Sequence, residues 1–232
     1  MSRRRFRHAA PRRHIGPLAV AAIGVLLLVL GGVVVVGKER TSPVSGQFTW
    51  PTHLTRVSVA GLDLPVSSVA GPHDLANGRA RGFRQTPPGA VLAALHLLVR
   101  TSPHVGPSVW EPTIEEQVVG PDAAEFREVV RLGYEIAREE QQLPSGAALG
   151  PIPATIRGVR IDAYSTRAVS LRVLVETDRA DGTPAWAAAV VQLVWSDGDW
   201  RLIAPPKGDW AAVRVPVPAF VLGDYVPLPR RS

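Results

Sequence analysis

The chain has 232 residues, with 26 Lys and Arg against 20 Asp and Glu and no cysteine, which excludes a disulfide framework, a thiolate metal site and a cysteine nucleophile. Six of the arginines, Arg3, Arg4, Arg5, Arg7, Arg12 and Arg13, precede the first long apolar stretch, so the rest of the chain balances 20 basic against 20 acidic side chains. Beyond that arm no net basic surface is encoded that would follow nucleic-acid phosphates, and specific nucleic-acid binding is not expected.

The arm (1–14) leads into Ile15–Val36, which carries no charged side chain over 22 residues. At about 1.5 Å per residue this is about 33 Å of helix, enough for a hydrocarbon core of about 30 Å. A cleaved secretory signal has a shorter apolar core followed by a small-x-small site. Here Gly37, Lys38, Glu39 and Arg40 follow instead, and the stretch is read as an uncleaved single-pass anchor. With all the early positive charge ahead of the span, the positive-inside rule places the amino terminus in the cytoplasm and the remainder outside the cell membrane.

Residues 37–85 are rich in Pro, Ser and Gly without a sustained period, and read as a stalk ordered toward its end. A helix is predicted from the Thr86 N-cap and Pro87 through Arg100, with Val91, Leu92, Leu95, Leu98 and Val99 on one face. A short second helix is expected over 113–119. A third runs from Pro121 to Gln142 with Phe126, Val129, Val130, Gly133, Ile136 and Ala137 inward. After Pro153 the period changes to two, giving strands over 155–164, 169–177, 185–195 and 200–204. The last two meet at Asp197-Gly198, with Trp195 and Trp200 set to face each other across the hairpin. The expected architecture is a transmembrane helix followed by an α+β outer domain (86–204), three helices packed on a curved four-stranded antiparallel sheet.

The last stretch, 205–232, interleaves Pro205, Pro206, Pro216, Pro218, Pro227 and Pro229 with apolar residues. Prolines so spaced cannot serve an interior ladder. An extended arm is expected, lying against the domain or a neighbouring subunit, with Val213, Val215, Val217, Phe220 and Tyr225 as candidate protein-interface residues.

The helix-then-meander order, closed by Trp195-Ser-Asp-Gly-Asp-Trp200-Arg201-Leu202, resembles the cone-shaped, cystatin-like fold of nuclear transport factor two. The stretch Gly82-Phe83-Arg84-Gln85-Thr86-Pro87-Pro88-Gly89-Ala90-Val91 resembles a family of membrane-anchored actinobacterial proteins of unknown function found near conjugative-element genes. Scaffold subunits of type IV secretion machines share this layout. The resemblance implies an assembly role and supplies no catalytic residue.

No catalytic, cofactor-binding or metal site is read from the residues themselves. His8, His14, His53, His73, His96 and His104 include no i, i+4 pair beside a carboxylate, and no nucleophile elbow, phosphate loop or dinucleotide fingerprint occurs. His96 is expected at the edge of the first helix's apolar stripe or as a satisfied core residue. Asp162 and Tyr164, two apart on the first predicted strand, are expected on one face, Asp162 as an ion pair with Arg160. Two functions stand: a non-enzymatic structural subunit of an envelope-spanning, conjugative-transfer-like complex, contacting the bilayer and associating with itself or other envelope proteins; or a small-ligand-binding module or enzyme using the concave sheet face.

Overall fold

The computed structural model describes residues 48–229; the expected anchor at 15–36 and the arginine arm lie outside them. Among the described residues no helix is long and apolar enough to cross a membrane.

Two strands, β1 (Leu54–Val59) and β2 (Leu62–Ser67), form an antiparallel hairpin in full register. Ala60 and Gly61 turn it with φ of 45° and 79°, the two positive values that a tight two-residue turn with right-handed strand twist requires. The alternation of Val57 and Val59 with Leu62 and Leu64 about Ala60-Gly61 is a period-two signal. The folded body thus reaches back to Phe48, whose side chain joins the core with Ala70, Ala80 and Phe83, well ahead of the start expected at Thr86.

Helix α1 (Pro87–Arg100) begins where the sequence places it, with the Thr86 hydroxyl accepting from the Gly89 amide at 3.3 Å. Its surroundings differ from expectation. Instead of one apolar stripe, eleven of its residues from Gly89 to Arg100 are buried, because it lies between the sheet, β2 and the next helix. A helix apolar on all sides is a core helix, and this one is the core's axis. Helix α2 (Pro107–Gln117) starts earlier than predicted, with Pro107 in its first turn. Helix α3 (Ala123–Glu140) buries Phe126, Val130 and Tyr134, while Val129 and Ile136, expected inward, are 39% and 59% exposed.

The four predicted strands are found as β4 (Thr155–Tyr164), β5 (Ala168–Asp178), β6 (Pro184–Ser196) and β7 (Asp199–Ile203). The expected four-stranded antiparallel sheet is nonetheless wrong. The sheet has seven strands and is mixed, and the hairpin of β1 and β2 forms a second sheet. Val118–Val119 forms β3, parallel to Leu202 and Ile203 of β7. Arg214–Pro216 forms β8 on β6, and Val226–Pro227 forms β9 on β4. These three additions have two or three residues each, too short for a periodic signal. The prolines in β8 and β9 occupy edge positions, where a missing amide is tolerated. The order is β3-β7-β6-β5-β4-β9, with β8 continuing along β6 beyond the end of β7.

One sheet face presents Val159, Ile161, Val169, Leu171, Val173, Val191, Leu193, Trp200 and Leu202 to the helices, all buried in one cluster with α1. The rings of Trp195 and Trp200 meet edge to face at 5.3 Å, as the hairpin spacing predicts. The other face carries a smaller cluster of Leu174, Ala188, Val217 and Tyr225, half of it supplied by the carboxy-terminal segment.

Candidate functional site

The carboxy-terminal segment is a strap across the second face of the sheet. It leaves β7 beside α3, where Trp210 meets Phe126 edge-on at 6.0 Å. It then runs along Ala187–Ala189 of β6 as β8, and the Val217 amide donates to the Trp186 carbonyl at 3.1 Å. A 3₁₀ turn, Ala219–Asp224, carries it across to β4, where β9 pairs with Gly158 and Val159. Gly158 permits that approach, since a Cβ there would stand 2.9 Å from the Val226 carbonyl oxygen. Two side chains clasp the far end: Trp50 Nε1 donates to the Pro227 carbonyl at 2.9 Å, and Arg56 donates to that of Pro229.

The five interface candidates separate by this path. Val217 and Tyr225 are buried against the chain's own sheet, at 8% and 7% exposure. Val213 is half-buried. Val215 is 39% exposed, and Phe220, on the 3₁₀ turn between the two anchors, is 87% exposed.

Beneath the strap lies a charged network. The Asp162 carboxylate accepts from Arg160 at 3.0 Å and from Arg172 at 2.7 Å. The Arg160 guanidinium sits 5.5 Å from the centre of the Tyr225 ring and 3.6 Å from Asp224. Burial raises the Tyr225 phenol above its ordinary value while Arg160 and Arg172 oppose it, and the bond to Asp162 raises Arg172. Asp162 is the ion-pair partner the sequence suggests, joined by a second arginine. It does not share a face with Tyr164, because the pairing of β4 with β5 slips between Ile161 and Ala163. That bulge reverses the alternation. Tyr164 therefore packs on Trp200 at 6.2 Å on the helix side and donates to the Gln85 carbonyl, so the two cannot line one pocket.

The concave face of the second functional reading is filled by α1. Within that core sits a polar pair, His96 and Arg100, 0% and 3% exposed. Pro65 offers only a carbonyl, so His96 Nε2 donates to it at 2.9 Å, and Nδ1 accepts from Arg100 at 2.8 Å. Arg100 also donates to the Gly78 carbonyl at 2.9 Å. Burial, then the Arg100 charge, pushes His96 down to about 3, and burial pushes Arg100 down to about 10. The pair ties α1 to β2 and to the loop at Gly78. The i, i+4 spacing of a His and an Arg in an otherwise apolar helix is the signal that could have revealed it.

A second tie was also missed. The Asp199 carboxylate accepts from the amides of Gly82 at 2.7 Å, Phe83 at 3.1 Å and Trp200 at 2.9 Å, and Trp200 Nε1 donates to the Arg84 carbonyl at 3.0 Å. The Asp-Gly-Asp-Trp hairpin is thus also the clamp on the segment before α1. A cleft of about 310 Å³ opens between the β1–β2 hairpin and the β4 and β9 edges, with Arg56, Asp63, Thr155 and Ile156 among its walls. Among the described residues no group of three His, Asp or Glu is placed to hold a metal ion.

A profile of the domain of unknown function DUF8175 matches residues 38–219. The chain belongs to this family. The DUF8175 match takes in the hairpin, the three helices, the sheet through β8 and the first strap anchor, Val217; Phe220, Tyr225 and β9 follow it. No curated protein and no solved structure matches the chain.

Proposed function

We propose that the protein is a single-pass membrane protein, amino terminus inside, whose outer domain works without catalysis as an assembly component of an envelope-spanning complex of the conjugative-transfer kind. The membrane part of the reading is supported by the uncharged 22-residue stretch and the six-arginine arm. The assembly part is carried by one observation: the strap is fixed at Val217 and Tyr225 and holds Phe220 out between them at 87% exposure. Burying a side chain of this size is worth about 1.5–3 kcal/mol, a gain the described residues do not take although the neighbouring turn residues Val221 and Leu222 pack on the second cluster. A partner that covers Phe220 takes it.

The test is a photo-crosslinking amino acid at position 220 of the full-length chain in intact cells. Protein adducts at 220, absent when the same group replaces Ala212 on the exposed turn before β8, are expected. Adducts from neither position, or equally from both, would remove the support for a contact at Phe220. Protease added to intact protoplasts checks topology separately: the chain beyond residue 38 should be digested.

A further inference from the structure

Helix α3 has a second apolar face that the described residues leave uncovered. At about 100° per residue, Phe126, Val130 and Tyr134 form the face packed on the core, and Val129, Leu132 and Ile136 form another, 39%, 51% and 59% exposed. Gly133 stands beside them in mid-helix, and a Cβ built on it meets nothing within 4 Å. Glycine is a poor helix former, and no contact among the described residues calls for it there. Its natural use is to let another backbone come close.

The charges on that face say which backbone. Glu125 and Glu140 lie on the same side, one at each end of the stripe, about 22 Å apart along the axis. Neither forms an ion pair among the described residues, whereas Glu128, Glu135 and Glu139 are each held by Arg131 or Arg138 of the same helix. A second copy is a poor occupant. Antiparallel pairing centred on Leu132 and Gly133 sets Glu125 against Glu140 at both ends, and parallel pairing sets each glutamate against itself; both are repulsive.

We propose that α3 is a docking face for a helix of a different polypeptide, amphipathic and about four turns long, with two central turns of apolar side chains and a Lys or Arg near each end. Its apolar stripe covers Val129, Leu132 and Ile136, its backbone crosses at Gly133, and its terminal cations meet Glu125 and Glu140. This rests on the reading of an outer domain that works through protein contacts, but it uses a different face from Phe220.

The probe is a synthetic helical peptide of about four turns, with two central turns of leucine and alanine and an arginine near each end, titrated by fluorescence anisotropy against full-length protein in lipid nanodiscs. A twin with terminal glutamates is the control. The arginine peptide is expected to bind at least tenfold tighter, with the difference shrinking as salt rises. The double variant Glu125→Arg, Glu140→Arg should reverse the preference, and Gly133→Leu should weaken binding at least tenfold with the melting temperature unchanged or raised. Equal binding of the two peptides, no binding of either, or full binding to the Gly133→Leu variant overturns the proposal. So does a dimer in sedimentation that Ile136→Glu dissociates, which would assign the face to a second copy. Loss of crosslinks at 220 with α3 binding intact would count against the strap contact alone.

Discussion

The two faces of the central sheet are covered by different means. On one, α1 is packed from all sides and shares a single large cluster with α2, α3, Phe48 and Phe83 of the segment before it, and nine inward strand residues. On the other, a proline-rich strap of two short edge pairings sets Val217 and Tyr225 on Leu174 and Ala188 and covers a network of arginines and carboxylates. The first face has no room for anything else, so it sets stability. The second is held at two points with an aromatic side chain exposed between them, so it is the face on which a partner can act without disturbing the fold.

The comparison is broken most sharply at α1. Leu95 is fully buried, and Leu95→Asp places an unpaired carboxylate in the core, at a cost of several kcal/mol against a total of about 5–15. The domain should lose its cooperative melt. On the strap face the corresponding change is Tyr225→Ala, with an expected loss of about 3 kcal/mol. Amide exchange at Val226 should accelerate while α1 stays protected; if α1 loosens equally, the strap belongs to the same cooperative unit as the helices.

A third prediction concerns pH. His96 ordinarily titrates near 6.5 and is pushed down to about 3 in the fold, so as pH falls the unfolded chain takes up the proton first. The stability that comes from keeping His96 neutral is complete above pH 6.5 and declines as pH drops from there toward 3. At about 1.4 kcal/mol per pH unit, acidification to pH 5 should remove about 2 kcal/mol. His96→Gln, which keeps an acceptor for Arg100 and a donor for Pro65, should flatten that slope in urea melts.

The helix-covered face was largely legible in the sequence. Thr86, Pro87 and the apolar run after them announce α1, and the alternation after Pro153 announces β4 to β7. What the residues do not announce is how many sides of an element are covered. The spacing of Val91, Leu92, Leu95, Leu98 and Val99 marks one stripe of α1, whereas the burial of His96 and Arg100 depends on their satisfying each other in the fold. On α3 the reverse holds: the helical spacing marks Val129 and Ile136 as inward, whereas Tyr134 takes the inward place. The strap face was less legible, since strands of two or three residues have no period and the bulge at Asp162 reverses a face with no mark in composition. The proline spacing did exclude an interior strand, and the five candidates Val213, Val215, Val217, Phe220 and Tyr225 fall on the strap, with Val217 and Tyr225 turned toward the chain's own sheet.

The smallest expected effect on folding tests the central claim most directly. Phe220→Asp in the full-length protein should change stability by less than about 0.5 kcal/mol, as surface substitutions do, leaving the thermal melt in place. In cells it should abolish the crosslinked adducts formed from a photo-reactive group at the neighbouring exposed position 219. An unchanged melt with adducts lost is the predicted result. A melt lowered by several degrees, or adducts that persist, would contradict the claim that the strap holds Phe220 for a partner rather than for the fold.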